Sequence, residues 1–279
     1  MTALGFSLQA KYDCAPTQAV EMLCDAGFSA ISPVWSPELP LDDLTACTER
    51  LGMTIQSIHA PHGGQPHLWD PSDSLRDPTL EKFLACIDTC ARYAIPIAVV
   101  HGWQGLGYTF PETPLDFSAF DRIVDHAEKN HVSIAFENLE GEEYLQALLN
   151  RYRNRPHVGY CWDSGHDNCY PHKLDFLESF GDRLIMTHIH DNWGTRDTLP
   201  TTLDDLHLLP GDGNIHWESA IGRLKNLPKQ RFLNFELKKL CKSPSPTDRI
   251  YADLSTRDYF RLAAHRARQI ADLYDKITA

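Results

Sequence analysis

Several short strings in the chain end an apolar run with a histidine or a carboxylate: SIHAPH, VVHGW, AFEN, CWDSGH, THIHDN and NFELK. With the segment DLH they present nine side chains able to hold a metal: His59, His101, Glu137, Asp163, His166, His188, Asp205, His207 and Glu236. Mixed imidazole and carboxylate donors suit zinc, manganese, cobalt or iron, and disfavour a magnesium site built from oxygen alone. A thiolate zinc site is not expected, because the eight cysteines keep no regular spacing with these donors. One histidine at a strand end needs only a hydrogen bond to explain it. Glu137 and Glu236 are harder to dismiss, since each follows a phenylalanine inside an apolar run, where an unpaired carboxylate is costly.

To bring such distant residues together, the chain must aim its strand ends at one point. Apolar runs predict eight strands, near 4–8, 28–34, 54–60, 96–102, 132–138, 158–164, 184–190 and 231–237. Between them lie amphipathic stretches at 16–26, 41–51, 79–93, 116–130 and 142–152, and a long closing helix is expected over 256–277. Near-continuous apolar runs such as LIMTHI fit parallel strands buried on both faces. The β/α alternation predicts an α/β fold, a single (β/α)8 TIM barrel domain spanning 1–279 with its metal site at the C-terminal mouth. An open doubly wound sheet would need a glycine-rich turn after its first strand, and LGFSLQAK has none.

On this barrel His59, His101, Glu137, Asp163, His188 and Glu236 close the third to eighth strands and form a ring around one mouth. His166 follows Asp163 by three residues, and Asp205 and His207 fall in the long loop 191–216, so a second cluster beside the first is expected. Around the mouth, Trp35, Trp103 and Trp193 are candidates to line a small polar pocket, where an indole can stack on a ligand ring and donate its N–H. His62, Asn138, His190, Arg196 and Lys238 are candidates to bind hydroxyl or phosphate groups, Arg196 by a bidentate grip.

Length and composition bound the reading further. The 279 residues suit one barrel of about 250. A formal charge of −12 argues against a broad nucleic-acid footprint, and the segments after the first two strands offer only Lys11 as a basic residue. The cysteines form no C-x-x-C pair and read as reduced, mostly buried thiols. With no secretory leader pattern and no apolar run approaching about 18 residues, a cytoplasmic protein without membrane partners is expected. Nothing in the sequence predicts the oligomeric state.

Over most of its length the chain resembles the xylose isomerase-like TIM barrels, a superfamily that includes sugar and sugar-phosphate isomerases and epimerases and also endonuclease IV. The resemblance implies that Glu137, Asp163, His188 and Glu236 hold one divalent ion, with the two glutamates also acting as acid and base. It further implies that His59, His101, His166, Asp205 and His207 match the extra ligands of a three-zinc cluster in the endonuclease IV branch. DLHLLPGDGNIHW is similar to a signature shared by both branches. The reading that follows is a metal-dependent isomerase or epimerase of a sugar, sugar phosphate or related polyol, with one to three ions of zinc, manganese or cobalt. The alternative is an endonuclease IV-like multinuclear zinc hydrolase of phosphate esters. After His59 the chain reads Ala-Pro-His-Gly-Gly, without the aromatic residue that the endonuclease IV branch carries there to enter the DNA minor groove, which disfavours a nuclease. A barrel that has lost its chemistry is a third class, but such a barrel would show a broken ligand set.

Overall fold

The strands come from runs rich in β-branched and aromatic residues, and each runs parallel to its neighbours. A computed structural model describes residues 1–9, 12–170 and 172–278; Lys11 lies outside them. In chain order the strands are β1 (Ala3–Leu8), β2 (Ala30–Pro33), β3 (Thr54–Ile55), β4 (Ile58–His59), β5 (Ile97–His101), β6 (Ser133–Glu137), β7 (Val158–Asp163), β8 (Leu184–His188) and β9 (Phe232–Phe235). The expected strand 54–60 is thus two short pieces, β3 and β4, interrupted at Gln56 and Ser57.

One sheet has the order β3-β2-β1-β9 and the other β4-β5-β6-β7-β8. Single parallel bridges join them on both sides, Val34 to His59 and Ile189 to Phe235. The barrel therefore closes at its C-terminal rim, at the level of the expected ligands. Trp35 N–H donates to the His59 carbonyl (2.9 Å) and Glu236 N–H to that of Ile189 (3.1 Å), so both seams run through the backbone of residues expected as ligands.

Helices wrap the outside: α1 (Pro16–Ala26), α2 (Leu41–Leu51), α3 (Arg76–Arg92), α4 (Ser118–Lys129), α5 (Glu142–Arg151), the short α6 (Ser164–Cys169), α7 (Phe176–Phe180) and α8 (Trp217–Gly222), and α9 (Thr256–Thr278). The last three short helices had no expectation in the sequence; six residues or fewer give too little apolar periodicity to read. α9 buries Tyr259, Phe260, Ala263, Ala267 and Ala271 at helical spacing and packs on β1, α1 and α8. Among the described residues no helix is long and apolar enough to cross a membrane. All eight cysteines are free, with Cys47, Cys86, Cys90, Cys161 and Cys169 buried.

Strand alternation sets what lies beneath the mouth. Two residues below the ligands, one side of the barrel carries the buried apolar cluster Val99, Ala135, Cys161 and Met186. The other side is polar. Asn234 accepts from Gln56 Nε2 (2.6 Å) and Ser32 Oγ (3.3 Å) and donates to Ser7 Oγ (2.8 Å), while Ser32 and Ser57 share a 2.7 Å bond. The break between β3 and β4 falls where Gln56 and Ser57 enter this network. Asn234→Ala removes the acceptor and donor at its centre and should cost about 2–4 kcal/mol in urea unfolding. An unchanged midpoint would show that the network contributes nothing to stability.

Candidate metal centre

Three carboxylates converge on one imidazole nitrogen. His188 Nδ1, at the end of β8, lies 2.8 Å from Glu236 Oε2, 2.9 Å from Glu137 Oε1 and 4.0 Å from Asp163 Oδ2. All four residues are buried. Asp163 caps α6, its Oδ1 accepting from His166 N–H at 2.7 Å. Asn138 holds the same residue through its backbone, accepting from Asp163 N–H (2.8 Å) and donating to its carbonyl (2.9 Å).

The other oxygen of Glu137 faces a second pair of rings. Oε2 lies 3.2 Å from His101 Nε2 and 3.3 Å from His59 Nε2, and the two nitrogens are 3.2 Å apart. A tetrahedral zinc with ligands at about 2.0–2.1 Å needs ligand atoms roughly 3.3 Å from one another. On the far side of Asp163, Asp205 Oδ2 lies 2.9 Å from His207 Nε2, and Oδ1 lies 3.6 Å from His166 Nε2 and 3.7 Å from His190 Nε2. All nine residues expected as ligands thus fall into three adjoining groups.

Backbone carbonyls fix which ring nitrogen faces inward. Nδ1–H donates to the carbonyl of Ala60 in His59 (2.7 Å), of Asn138 in His166 (2.8 Å) and of Glu236 in His207 (2.8 Å). A carbonyl only accepts, so in the neutral rings each Nε2 presents a lone pair to a carboxylate or another imidazole. His207 adopts φ 53°, a left-handed backbone that costs about 1 kcal/mol or more and points to a constrained function. Asp205 Oδ1 and the Nδ1 atoms of His101 and His190 are buried without a hydrogen-bond partner. Lone pairs facing one another and an orphaned carboxylate oxygen fit a cation between them.

Without an ion between them, the same groups balance one another's charge as imidazolium–carboxylate pairs. Burial acts to raise the carboxyls of Glu137, Glu236 and Asp205, but the surrounding imidazoles hold all three well below the usual range, His188 foremost for the glutamates and His207 for Asp205. Burial likewise acts to lower His166 and His188. It is outweighed by Asp163 and Asp205 around the first, and by Cys161, Glu137 and Glu236 around the second, which keep both rings well above the ordinary value. His207 is pushed down to about 4 by burial despite Asp205.

The centre opens into a cavity of about 400 Å³ whose wall includes Gln9, His62, Gln104, Lys238, Leu240 and Lys242. Of the residues expected to bind substrate, His62 and Lys238 are on this wall and the others are elsewhere. Trp35 donates its indole N–H to Thr89 on α3 (3.0 Å) and lines a separate, more apolar cavity. Trp103 stacks on Tyr144 at 4.4 Å, and the exposed Trp193 is not on the wall. Arg196 is consumed by Asp204 (3.0 Å), Asp248 (2.7 Å) and the Leu203 carbonyl (2.9 Å). Asn138 is a backbone tether. His190 is fully buried, with Nε2 3.0 Å from Asp163 Oδ1. Cys161, expected to stand apart, places Sγ with donor atoms of Glu137 and His188 within 4.8 Å of one another, because β7 sits beside β6 and β8.

Sequence reading missed Asp191. This buried carboxylate accepts from the N–H groups of Asn192 (3.0 Å), Gly211 (2.8 Å) and Ile215 (3.2 Å) and from Trp217 Nε1 (3.1 Å). It thereby draws PGDGNIHW against the end of β8. Gly213 is required for this approach, since a Cβ there would meet Asp191 Oδ1 at 2.3 Å. The signal was present in the pairing of THIHDN with PGDGNIHW.

The family model described as "Xylose isomerase-like TIM barrel" matches residues 15–255. Among curated proteins, the chain is 28% identical to the uncharacterized protein y4fM of Sinorhizobium fredii, over 94% of this chain and 90% of that one. Among solved structures it is similar to a zinc-bound IolI protein (TM-score 0.72, 18% identity, 99% of each chain). It is also similar to a D-tagatose 3-epimerase-like protein (TM-score 0.65, 20% identity, 100% of each chain) and to L-ribulose 3-epimerase (TM-score 0.66, 14% identity, 98% of each). At these identities the likeness shows the fold.

Asp191→Ala strands four donors at once. It should destabilise the protein by about 3 kcal/mol or more in denaturant unfolding and raise amide exchange at Gly211 and Ile215. Protection as in the parent would mean that the loop is held by something else.

Proposed function

Because the chain belongs to the xylose isomerase-like TIM barrel family, we propose that it is a divalent-metal-dependent isomerase or epimerase of a sugar, sugar phosphate or related polyol. The observation that carries this reading is the placement of Glu137 and Glu236. Both carboxylates approach His188 Nδ1, and both open onto the same cavity. Glu137, Asp163, His188 and Glu236 would hold the ion, which when bound polarises a substrate carbonyl and acidifies the neighbouring C–H.

The protein's own groups do the rest. Glu137 and Glu236 are both held ionised, so either can accept the C–H proton of a substrate, and the other must first take a proton from solvent before it returns one to carbon. Gln9 donates to Glu236 Oε1 at 3.4 Å and reaches the cavity as well. Lys238, Lys242, Gln104 and His62 supply the wall with groups for hydroxyl or phosphate oxygens. The 3-epimerases among its structural neighbours and the zinc-bound IolI protein support the class of reaction and the need for a metal.

A second reading is an endonuclease IV-like phosphoesterase using several zinc ions. The observation in its favour is the His59–His101–Glu137 trio at tetrahedral spacing beside the quartet. The basic footprint that a nucleic-acid substrate demands is missing from the composition, at −12 net charge.

Isomerisation through the glutamates predicts that Glu137→Gln or Glu236→Gln abolishes incorporation of solvent deuterium into a converted sugar. Chelation should remove turnover and added manganese or cobalt restore it. Deuterium incorporation that persists in either variant would take that glutamate out of proton transfer. Phosphate-ester cleavage with no exchange in the parent would instead establish the second reading.

A further inference from the structure

We infer that the apolar cavity beside the metal centre is a substrate subsite, one that takes a neutral alkyl or aryl arm attached to the sugar or polyol whose polar end lies at the quartet. The position of that polar end rests on the metal-dependent reading above.

Two cavities meet at the ends of β1 and β2. Each has a volume of about 400 Å³, and Gln9 and Val34 stand in the walls of both. These shared residues belong to the frame of the metal centre. Gln9 Nε2 donates to Glu236 Oε1 at 3.4 Å, and Val34 pairs with His59 across the barrel seam. A ligand lying against Glu236 is therefore bordered by Gln9 and Val34 on the side where the second cavity begins.

The two chambers differ in chemistry. His62, Lys238 and Lys242 join the carboxylates around the first. The second is walled mainly by Leu8, Tyr12, Val34, Trp35, Leu39 and Leu44, with no lysine, arginine or histidine among its described lining residues. Its carboxylate, Glu38, is exposed and keeps its charge in water. Burial pushes both the Tyr12 phenol and the Cys14 thiol up, so neither is charged at neutral pH. An anionic group entering this chamber would lose water and find no counter-charge, whereas a hydrocarbon gains by leaving water.

Neighbouring elements hold the walls in place. The Trp35 indole N–H is given to Thr89 on α3 (3.0 Å), so what remains of it on the wall is apolar ring. Tyr12 packs edge-on against Phe260 on α9 at 4.9 Å, and Leu44 on α2 is fully buried. Side chains committed to three different helices cannot fold inward without breaking those contacts. The chamber is also large enough, since a cavity of about 150 Å³ already holds benzene.

Hydroxamates test the subsite whatever the natural sugar is, because their two oxygens chelate a divalent ion while the acyl arm is varied. On manganese-loaded protein, calorimetry should show hexanohydroxamate and 3-phenylpropionohydroxamate binding about tenfold or more tighter than acetohydroxamate; each fully buried methylene multiplies affinity by about four. The two long ligands should also move the Trp35 indole N–H resonance, identified by its loss in Trp35→Phe, and acetohydroxamate should not. Cys14→Phe and Ser36→Trp fill the second chamber from positions outside the metal-centre cavity. Each should erase the preference for the long arm and leave acetohydroxamate affinity and manganese content unchanged. Equal affinities across the series, or a Trp35 resonance that the long arms leave in place, overturn the inference in the parent protein alone. A long-arm preference that survives in both folded variants overturns it as well, since the arm then lies elsewhere. If no hydroxamate binds, the metal-dependent reading fails, and hexanol decides the subsite by itself: a Trp35 shift that Cys14→Phe abolishes supports it, and no shift overturns it.

Discussion

The structure depends on buried carboxylates that cannot be satisfied by hydrogen bonds alone. Glu137, Asp163, Asp205 and Glu236 are all taken out of water, and desolvation of that many charges is tolerated only against compensating positive charge. The fold answers mainly with imidazoles, and Lys238 adds its charge beside Asp205. Three of those imidazoles, His59, His166 and His207, are held by main-chain carbonyls, so there the barrel backbone, and not only side-chain packing, determines which ring nitrogen faces inward. Rim closure serves the same end, since the seams at His59 and Glu236 place ligand-bearing residues on neighbouring strands in fixed register.

Beneath the rim the interior divides by chemistry. Val99, Ala135, Cys161 and Met186 give the Glu137–His188 side an apolar floor, which strengthens charge interactions above it. The Asn234 network under the other side keeps polar residues satisfied where β3 and β4 are interrupted. Strand alternation sets the apolar floor and, in the polar one, Ser57 and Asn234: each of these lies two residues before His59, His101, Glu137, Asp163, His188 or Glu236, so the residue that ends the strand and the residue that packs the barrel are chosen together.

Much of this was legible in the sequence because the relevant signals are local. A strand-end histidine or glutamate is visible within five residues of chain, and parallel closure brings all such ends to one mouth, so the convergence of these side chains and the order of elements could be read directly. What failed was anything decided by a partner far away in sequence. Arg196 looked free, yet Asp248 arrives from 52 residues downstream. Trp35 looked like a stacking surface until Thr89, 54 residues on, claimed its indole N–H. Asn138 and His190 were read as substrate groups because an amide or imidazole beside a ligand looks the same whether it points outward or back. Asp191 was overlooked for the converse reason: its four donors are scattered through a loop whose shape exists only once they bind it.

That clamp separates two kinds of inheritance in the molecule. The segment most conspicuous as a motif, PGDGNIHW, is engaged with Asp191 and contributes nothing to the cavity wall. The wall is furnished instead from segments after β1, β5 and β9, through Gln9, Gln104, Leu240 and Lys242. Those segments can drift without disturbing the scaffold that aims the donors, so a descendant of this chain could exchange its substrate while its most recognisable signature stayed untouched.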